Sequence, residues 1–352
     1  MKNALKIILS LGIAGFFFWL AFRDFTAKDF QDVMAAIADA NFPLLVISFF
    51  ILILSHIIRA WRWGLLLSTI KPKLSLINLF NSTMIGYAVN QALPRVGELT
   101  KSFNLSKAES LDPKKVLASV VVERIYDTLL YAVLLAGSVF LFRTPINAAF
   151  NKISLFGFQV TVEYATYLML LAAIIIWLIA TAISFYPEQI SEKIASILKS
   201  NKISDHWSER IRRWISSFIE GSAALKDKTK YVEIIFSSLA IWSLYWMASL
   251  LPAFAVDFGK YGIGFWESLV VMCISALGQL ITPGGAGTYQ YACTVALETV
   301  FHVPKTDAAA YALITFFIQL FSSALVGVFC FFWQQIRFAE AAQDLTSVKA
   351  KG

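Results

Sequence analysis

Charges sit in this chain where an apolar run has no ordinary use for them. Glu123, Arg124 and Asp127 fall inside the stretch Pro113 to Phe142, which is otherwise almost wholly apolar. Each charge near the middle of a bilayer costs about 2.5 to 3.5 kcal/mol on insertion scales, so three together must be paired or wet. Arg124 and Asp127 are three residues apart and can meet on one helix face. Glu98 is a second possible partner for Arg124. The chemistry open to such a group is anion binding or proton relay, with Glu98, Glu123 and Asp127 as proton carriers. The bland alternative is a structural ion pair that fixes helix register.

Two further segments carry residue types suited to an anion. In Asn90-Gln91-Ala92-Leu93-Pro94-Arg95-Val96-Gly97-Glu98, proline stops a helix and glycine permits a tight turn. Arg95 presents a guanidinium that matches phosphate oxygens, or simply faces headgroups. In Pro283-Gly284-Gly285-Ala286-Gly287, flanked by Gln279 and Gln290, a loop between two short helices exposes backbone amides. The helix that follows offers its positive end to an anion; a plain tight turn is the alternative. Arg59 and Arg62, with Trp61 and Trp63, read as interfacial anchors at a span end, with a lipid-headgroup contact as the alternative. His56 reads as a packed core residue.

These residues must be positioned by helices in a membrane. Of 352 residues, 58% are hydrophobic, 30 are Phe and 15% are charged, against about 25% charged in soluble domains. The three cysteines, Cys273, Cys293 and Cys330, lie in apolar stretches without metal-ligand spacing and read as inert core residues. The three histidines are scattered, and no metal or other cofactor is expected. A net charge of +7 would also suit a nucleic-acid binder, but the basic residues lie in short loops between apolar runs, the membrane pattern. No nucleic-acid partner is expected.

Six runs are long enough to span: Ala4 to Phe22, Phe42 to Leu67, Pro113 to Phe142, Tyr164 to Tyr186, Tyr231 to Val256 and Asp307 to Phe332. The first lacks a small-residue cleavage site after it and reads as a retained helix. Leu76 to Leu93 is interrupted by polar residues. Phe265 to Phe301 is broken by the glycine loop, and its second arm, roughly 21 Å of helix, is too short to cross. With the N-terminus cytoplasmic and six crossings, 23 Lys and Arg lie inside and 6 outside, with Arg124 within a span. This satisfies the positive-inside rule and places both termini in the cytoplasm.

A full crossing by Leu76 to Leu93 would put the five basic residues after it outside. The expectation is therefore two re-entrant hairpins, near 76–93 from the inside and near 265–301 from the outside. Irregular backbone at membrane depth requires surrounding protein or a polar cavity. The two halves share an element order in opposite orientation, the pattern of transporters built on inverted repeats. The expected architecture is one all-α transmembrane domain over 1–336 and a cytoplasmic tail over 337–352. A cytoplasmic segment over 187–230 contains an amphipathic helix through Trp207, Ile211, Trp214, Ile215 and Phe218, suited to an anionic leaflet; a solvated helix packed on the domain is the alternative. Thr26 to Ala40 suits a short surface helix.

The runs from Asn90 to Glu98, Val122-Glu123-Arg124-Ile125-Tyr126-Asp127, and Pro283 to Gly287 resemble, in order and spacing, the transmembrane flippase region of the lysylphosphatidylglycerol synthase family. The resemblance covers nearly the whole chain. One departure is Gln290, near which many members carry glutamate. The family's full-length enzymes add a soluble aminoacyl-transfer domain. Few residues follow the last span here, so no synthase activity is expected. The resemblance implies a stand-alone flippase-like protein of the bacterial cytoplasmic membrane and names no substrate; the leading expectation from the residues is an anionic phospholipid or polyprenyl phosphate held by Arg95, Arg124 and the glycine loop. No Gly-x-x-x-x-Gly-Lys-Ser/Thr loop occurs, so transport would be passive or ion-coupled. The competing readings are an enzyme acting on lipid headgroups and a non-transporting scaffold. Homo-oligomerisation is left open.

Overall fold

The computed structural model describes residues 2–93, 96–149, 153–155, 158–186, 216 and 218–336. Pro94, Arg95, the expected amphipathic residues from 187 to 215 and the tail from 337 lie outside them. Phe218, the last of that expected amphipathic set, packs against Leu66 and Val122.

The described chain is helical apart from a two-stranded antiparallel ladder, β1 (Ile153–Leu155) with β2 (Phe158–Val160). The helices are α1 (Lys2–Phe22), α2 (Ala27–Ala38), α3 (Phe42–Leu67), α4 (Leu76–Ala92), α5 (Gly97–Glu109), α6 (Pro113–Leu141), α7 (Arg143–Ala149), α8 (Val162–Phe185), α9 (Lys228–Ala255), α10 (Phe265–Gln279), α11 (Thr288–Phe301) and α12 (Lys305–Ile336). Among the described residues, α3, α6, α8, α9 and α12 are each long and apolar enough to cross a membrane. The sixth expected span corresponds to α1, of 21 residues.

Caps fix where these helices begin. Asp112 accepts from the Lys114 N–H, with Pro113 in the first turn, where its missing N–H is not needed. Thr26 and Asp29 form a reciprocal capping box at the start of α2, and Asp227 caps α9. Lys305 also reaches Asp29, at 3.0 Å, and so ties α2 to the start of α12.

Leu76 to Leu93 does not turn back on itself. It is one helix, α4, and the returning arm is the polar α5, which packs against it. The arms cross glycine on glycine: a Cβ on Gly97 would collide with the Gly86 carbonyl oxygen. Residues 265–301 fold as α10, a short turn over Pro283–Gly285, and α11. Here a Cβ on Gly278 would strike the Thr288 carbonyl.

Packing between elements is reciprocal. The long helices α3 and α9 lie together at the centre. The pair α4–α5 packs on α3 and α6, and α4 also meets a π turn of α12 at Phe321–Leu325. The pair α10–α11 packs on α9 and α12, and α10 also meets α6. Exchanging α3 with α9, the first helix pair with the second, and α6 with α12 maps these contacts onto one another.

Candidate functional site

Along α3, Ser48, Ser55, His56, Arg59 and Arg62 are all buried. Their spacing of three, four and seven puts them on one face, a polar stripe in an otherwise apolar helix. The stripe meets two carboxylates of α6. Arg59 Nη1 lies 3.2 Å from Glu123 Oε1 and also pairs with Asp127 Oδ2. Arg62 Nη2 lies 2.8 Å from Asp127 Oδ1 and 3.4 Å from Glu123 Oε1. Lys101 of α5 reaches Glu123 Oε2 at 2.6 Å, its ammonium 4.0 Å above the Trp63 ring. Arg62 donates also to Ser238, and Arg59 to the Tyr245 hydroxyl, both on α9.

The cluster is sealed: exposures are 4% for Arg59, 1% for Arg62, 5% for Lys101, 2% for Glu123 and 7% for Asp127. Buried ions survive only when each has a partner, and removing one partner of such a pair costs about 3 to 5 kcal/mol. Among the described residues three cations here face two carboxylates, so the cluster carries an excess positive charge.

Arg59 and Arg62 are therefore not interfacial anchors. They lie at the end of a span in the sequence, but the hairpin α4–α5 and helices α6 and α9 close over them. Nor do Arg124 and Asp127 form a pair. Asp127 turns inward to α3, whereas Arg124 leaves α6 on the other side and meets Glu98 Oε1 at 2.9 Å. Arg124 keeps 45% of its side chain exposed, unlike the sealed arginines. Glu98 Oε2 accepts from Asn90 Nδ2 at 3.4 Å, and Asn90 Oδ1 accepts from the Gly97 N–H at 2.7 Å. Asn90, Gly97, Glu98 and Arg124 are thus assembled as one group at the turn of the first hairpin.

That group borders a groove of about 240 Å³ between α6 and α8. Its walls are Leu117, Val120, Val121 and Ile125 of α6 and Ala173 and Ile176 of α8, with Glu98 and Arg124 as its charged members.

The second hairpin is built differently. The Thr288 hydroxyl donates to the Gly278 carbonyl at 2.6 Å and is linked to Thr282. Gly284, Gly285 and Gly287 have positive φ of 59°, 78° and 79°, which glycine adopts without strain. The amides expected to face an anion are spent internally: Gly285 N–H bonds Thr282, Ala286 N–H bonds Pro283, and Gly287 N–H bonds the Gln290 side chain at 2.8 Å. Gln290 is buried as the cap of α11, away from the charged group. Pro283 is buried in the turn, and Gly287 packs on the α1 backbone at Ala14.

The turns of the two hairpins touch. Gln91 lies against Gly284 and donates to Ser323 at 2.8 Å, while Gln279 donates to Gln319. The turns of the two hairpins thus meet through side-chain amides, and the sealed ion cluster lies with the first hairpin.

Residue type alone does not mark Arg59, Arg62 and Lys101 as members of this cluster. The signal that marks the first two is the polar stripe on α3; nothing local marks Lys101. His56 packs edge-on to Tyr87. Among the described residues no group of three or more His, Cys, Asp and Glu could hold a metal ion.

Helices long and apolar enough to cross a bilayer, carrying their ions inward, make the chain an integral membrane protein. Residues 7–327 match the transmembrane region of lysylphosphatidylglycerol synthase, and the chain belongs to that family. It is also similar to a UPF0104 membrane protein of Methanocaldococcus jannaschii, at 24% identity over 93% of each chain. No solved structure matches it.

Proposed function

We propose that the chain carries an anionic lipid, a phospholipid or a polyprenyl phosphate, across the cytoplasmic membrane without ATP and without chemical change to the lipid. The observation that carries this reading is the α6–α8 groove: its lining is apolar apart from Thr128 and the ion pair of Arg124 with Glu98. A lipid is an object of the same design, with hydrocarbon joined to one ionised group. The guanidinium matches phosphate oxygens, and a low-dielectric wall strengthens the attraction. The excess cation of the neighbouring cluster favours an anion over a zwitterion. The headgroup belongs at Arg124 rather than in the glycine loop, whose amides at Gly285, Ala286 and Gly287 are already bonded.

In the same reading six helices cross and both termini are cytoplasmic. The pairs α4–α5 and α10–α11 enter from opposite sides as re-entrant halves of an inverted repeat, an arrangement supported by the reciprocal packing. Alternating access would then part and rejoin the layer of Gln91, Gly284, Gln279 and Gln319 where the hairpins meet.

The test is flux of a fluorescent phosphatidylglycerol in liposomes that contain the purified protein. Transport above empty liposomes, lost in Arg124→Ala, is expected. Flux equal to that of empty liposomes for every anionic lipid tried would end the proposal.

A further inference from the structure

Arg124 has a carboxylate on it already. Glu98 Oε1 occupies the guanidinium at 2.9 Å, and both residues line the groove. A headgroup phosphate that binds Arg124 must displace Glu98 or share its partner. Two anions on one guanidinium beside an apolar wall raise each other's affinity for protons. A phosphodiester is the far stronger acid, so the proton goes to the carboxylate.

We propose that Glu98 gives up Arg124 to the headgroup phosphate and takes one proton as it does so, so that lipid and proton bind together. This rests on the lipid-carrier reading and names its coupling ion. The balance is simple. The phosphate oxygen gains the ion pair with Arg124, the Glu98 carboxylate loses it and gains one proton from water, and no covalent bond other than that O–H is made or broken. The empty pair is neutral, and Arg124 with a monoanionic phosphodiester and protonated Glu98 is also neutral. The site therefore moves through low dielectric with the same charge, loaded or empty.

The surroundings permit the exchange. On α5, Lys101 is committed to Glu123, and the Ser102 hydroxyl bonds the Glu98 carbonyl, not its carboxylate. On α4, Asn90 Nδ2 can donate to the carboxyl in either state, and Tyr87 lies near Arg124. On α6, Glu123 and Asp127 are held by Arg59 and Arg62 of α3. From α8 the groove receives Ala173 and Ile176, which do not titrate. Glu98 is the carboxylate at the groove whose cation is also within reach of a ligand.

The experiment is binding of dioleoyl phosphatidylglycerol to the purified protein in detergent across pH 5 to 9, with phosphatidylcholine as the neutral control and flux measured in parallel. Affinity of the wild type should fall towards tenfold per pH unit where the free carboxylate is ionised, with close to one proton taken up per lipid bound. In Glu98→Gln the profile should be flat and the proton uptake absent; Glu98→Asp should keep the slope. In liposomes the lipid should accumulate on the alkaline side of an imposed pH gradient, and not in Glu98→Gln. Binding and flux that ignore pH in the wild type, or a slope that persists in Glu98→Gln, overturn the inference and leave the carrier reading standing. Neither binding nor flux of any anionic lipid overturns both. Should Glu98→Gln fail to fold, the wild-type slope and proton count decide alone.

Discussion

The two hairpins share a backbone plan and differ in chemistry. Each is a pair of short helices crossing at a glycine, against a long central helix on one side and a second long helix on the other. The first is held by ions: Lys101 on Glu123, Glu98 on Arg124, and Glu109 joining Lys71, Ser75 and Asn78. The second is held by hydroxyls and amides, with Gln290 at its turn where Glu98 stands in the first. The crossing makes the fold and does not depend on charge; the sealed ions and the Arg124–Glu98 pair make a site, and they lie with the first hairpin. A carrier built this way would bind its headgroup more tightly from the side of the first hairpin.

The comparison is broken most severely by removing a sealed ion. Glu123→Ala strips partners from Arg59, Arg62 and Lys101 and should lower stability by about 3 to 5 kcal/mol in a denaturant melt. Its counterpart in the second hairpin, Thr288→Val, removes the hydroxyl that bonds Gly278 and Thr282 and should cost about 1 to 2 kcal/mol. Equal losses would mean that the ions are no more structural than the hydroxyls. The shared plan is tested by Gly97→Ala and Gly278→Ala, each of which drives a methyl into a carbonyl. Both should cost about 1 to 3 kcal/mol, and by similar amounts.

Arg124→Ala separates site from scaffold. Its half-exposed pair should contribute less than about 1 kcal/mol to stability, while lipid flux falls by about tenfold or more, the equivalent of 1.4 kcal/mol or more in binding.

The smallest effect is with pH. Burial favours the neutral acid at Glu109, but Lys71, Asn78 and the Ser75 N–H outweigh it and hold the group below the usual carboxylate range. A depressed acid stabilises the fold above its ordinary titration range and loses that contribution as pH falls through the folded value. Protection of the Ser75 amide against hydrogen exchange, taken relative to the intrinsic rate at each pH, should therefore fall in acid. The Gly287 amide, capped by the neutral Gln290, should not respond.

Much of the helical fold is written in hydrophobic runs, and Phe42–Leu67 is the same segment in sequence and structure. The polar arm α5 escapes such a search because Glu98, Lys101, Asn104 and Glu109 point to partners on other helices rather than to water. The same reason hides the pairings. Arg124 and Asp127 stand three apart on a helix, yet each is claimed by a different neighbour, a choice that lies in tertiary packing and not in spacing. Arg59 and Arg62 sit at a span end, and only the helices around them show that it is closed. Moving these and Lys101 from the loop tally to the interior leaves the positive-inside margin wide.

The π turn at Phe321–Leu325 divides α12 into two registers. Ahead of it, Tyr311 and Thr315 face α9 and α11. After it, Gly327 seats on the Met84 backbone of α4, and Gln334 accepts from Asn104 of α5. A π turn holds one residue more than an α turn. That extra residue works as a phase shifter, letting one continuous rod address both hairpins at angles that a regular helix could not serve together. Wound instead as a regular α-helix, the same residues would swing everything beyond the turn by about 100°. Gly327 and Gln334 would then face away from the first hairpin, with the second hairpin's contacts left in place.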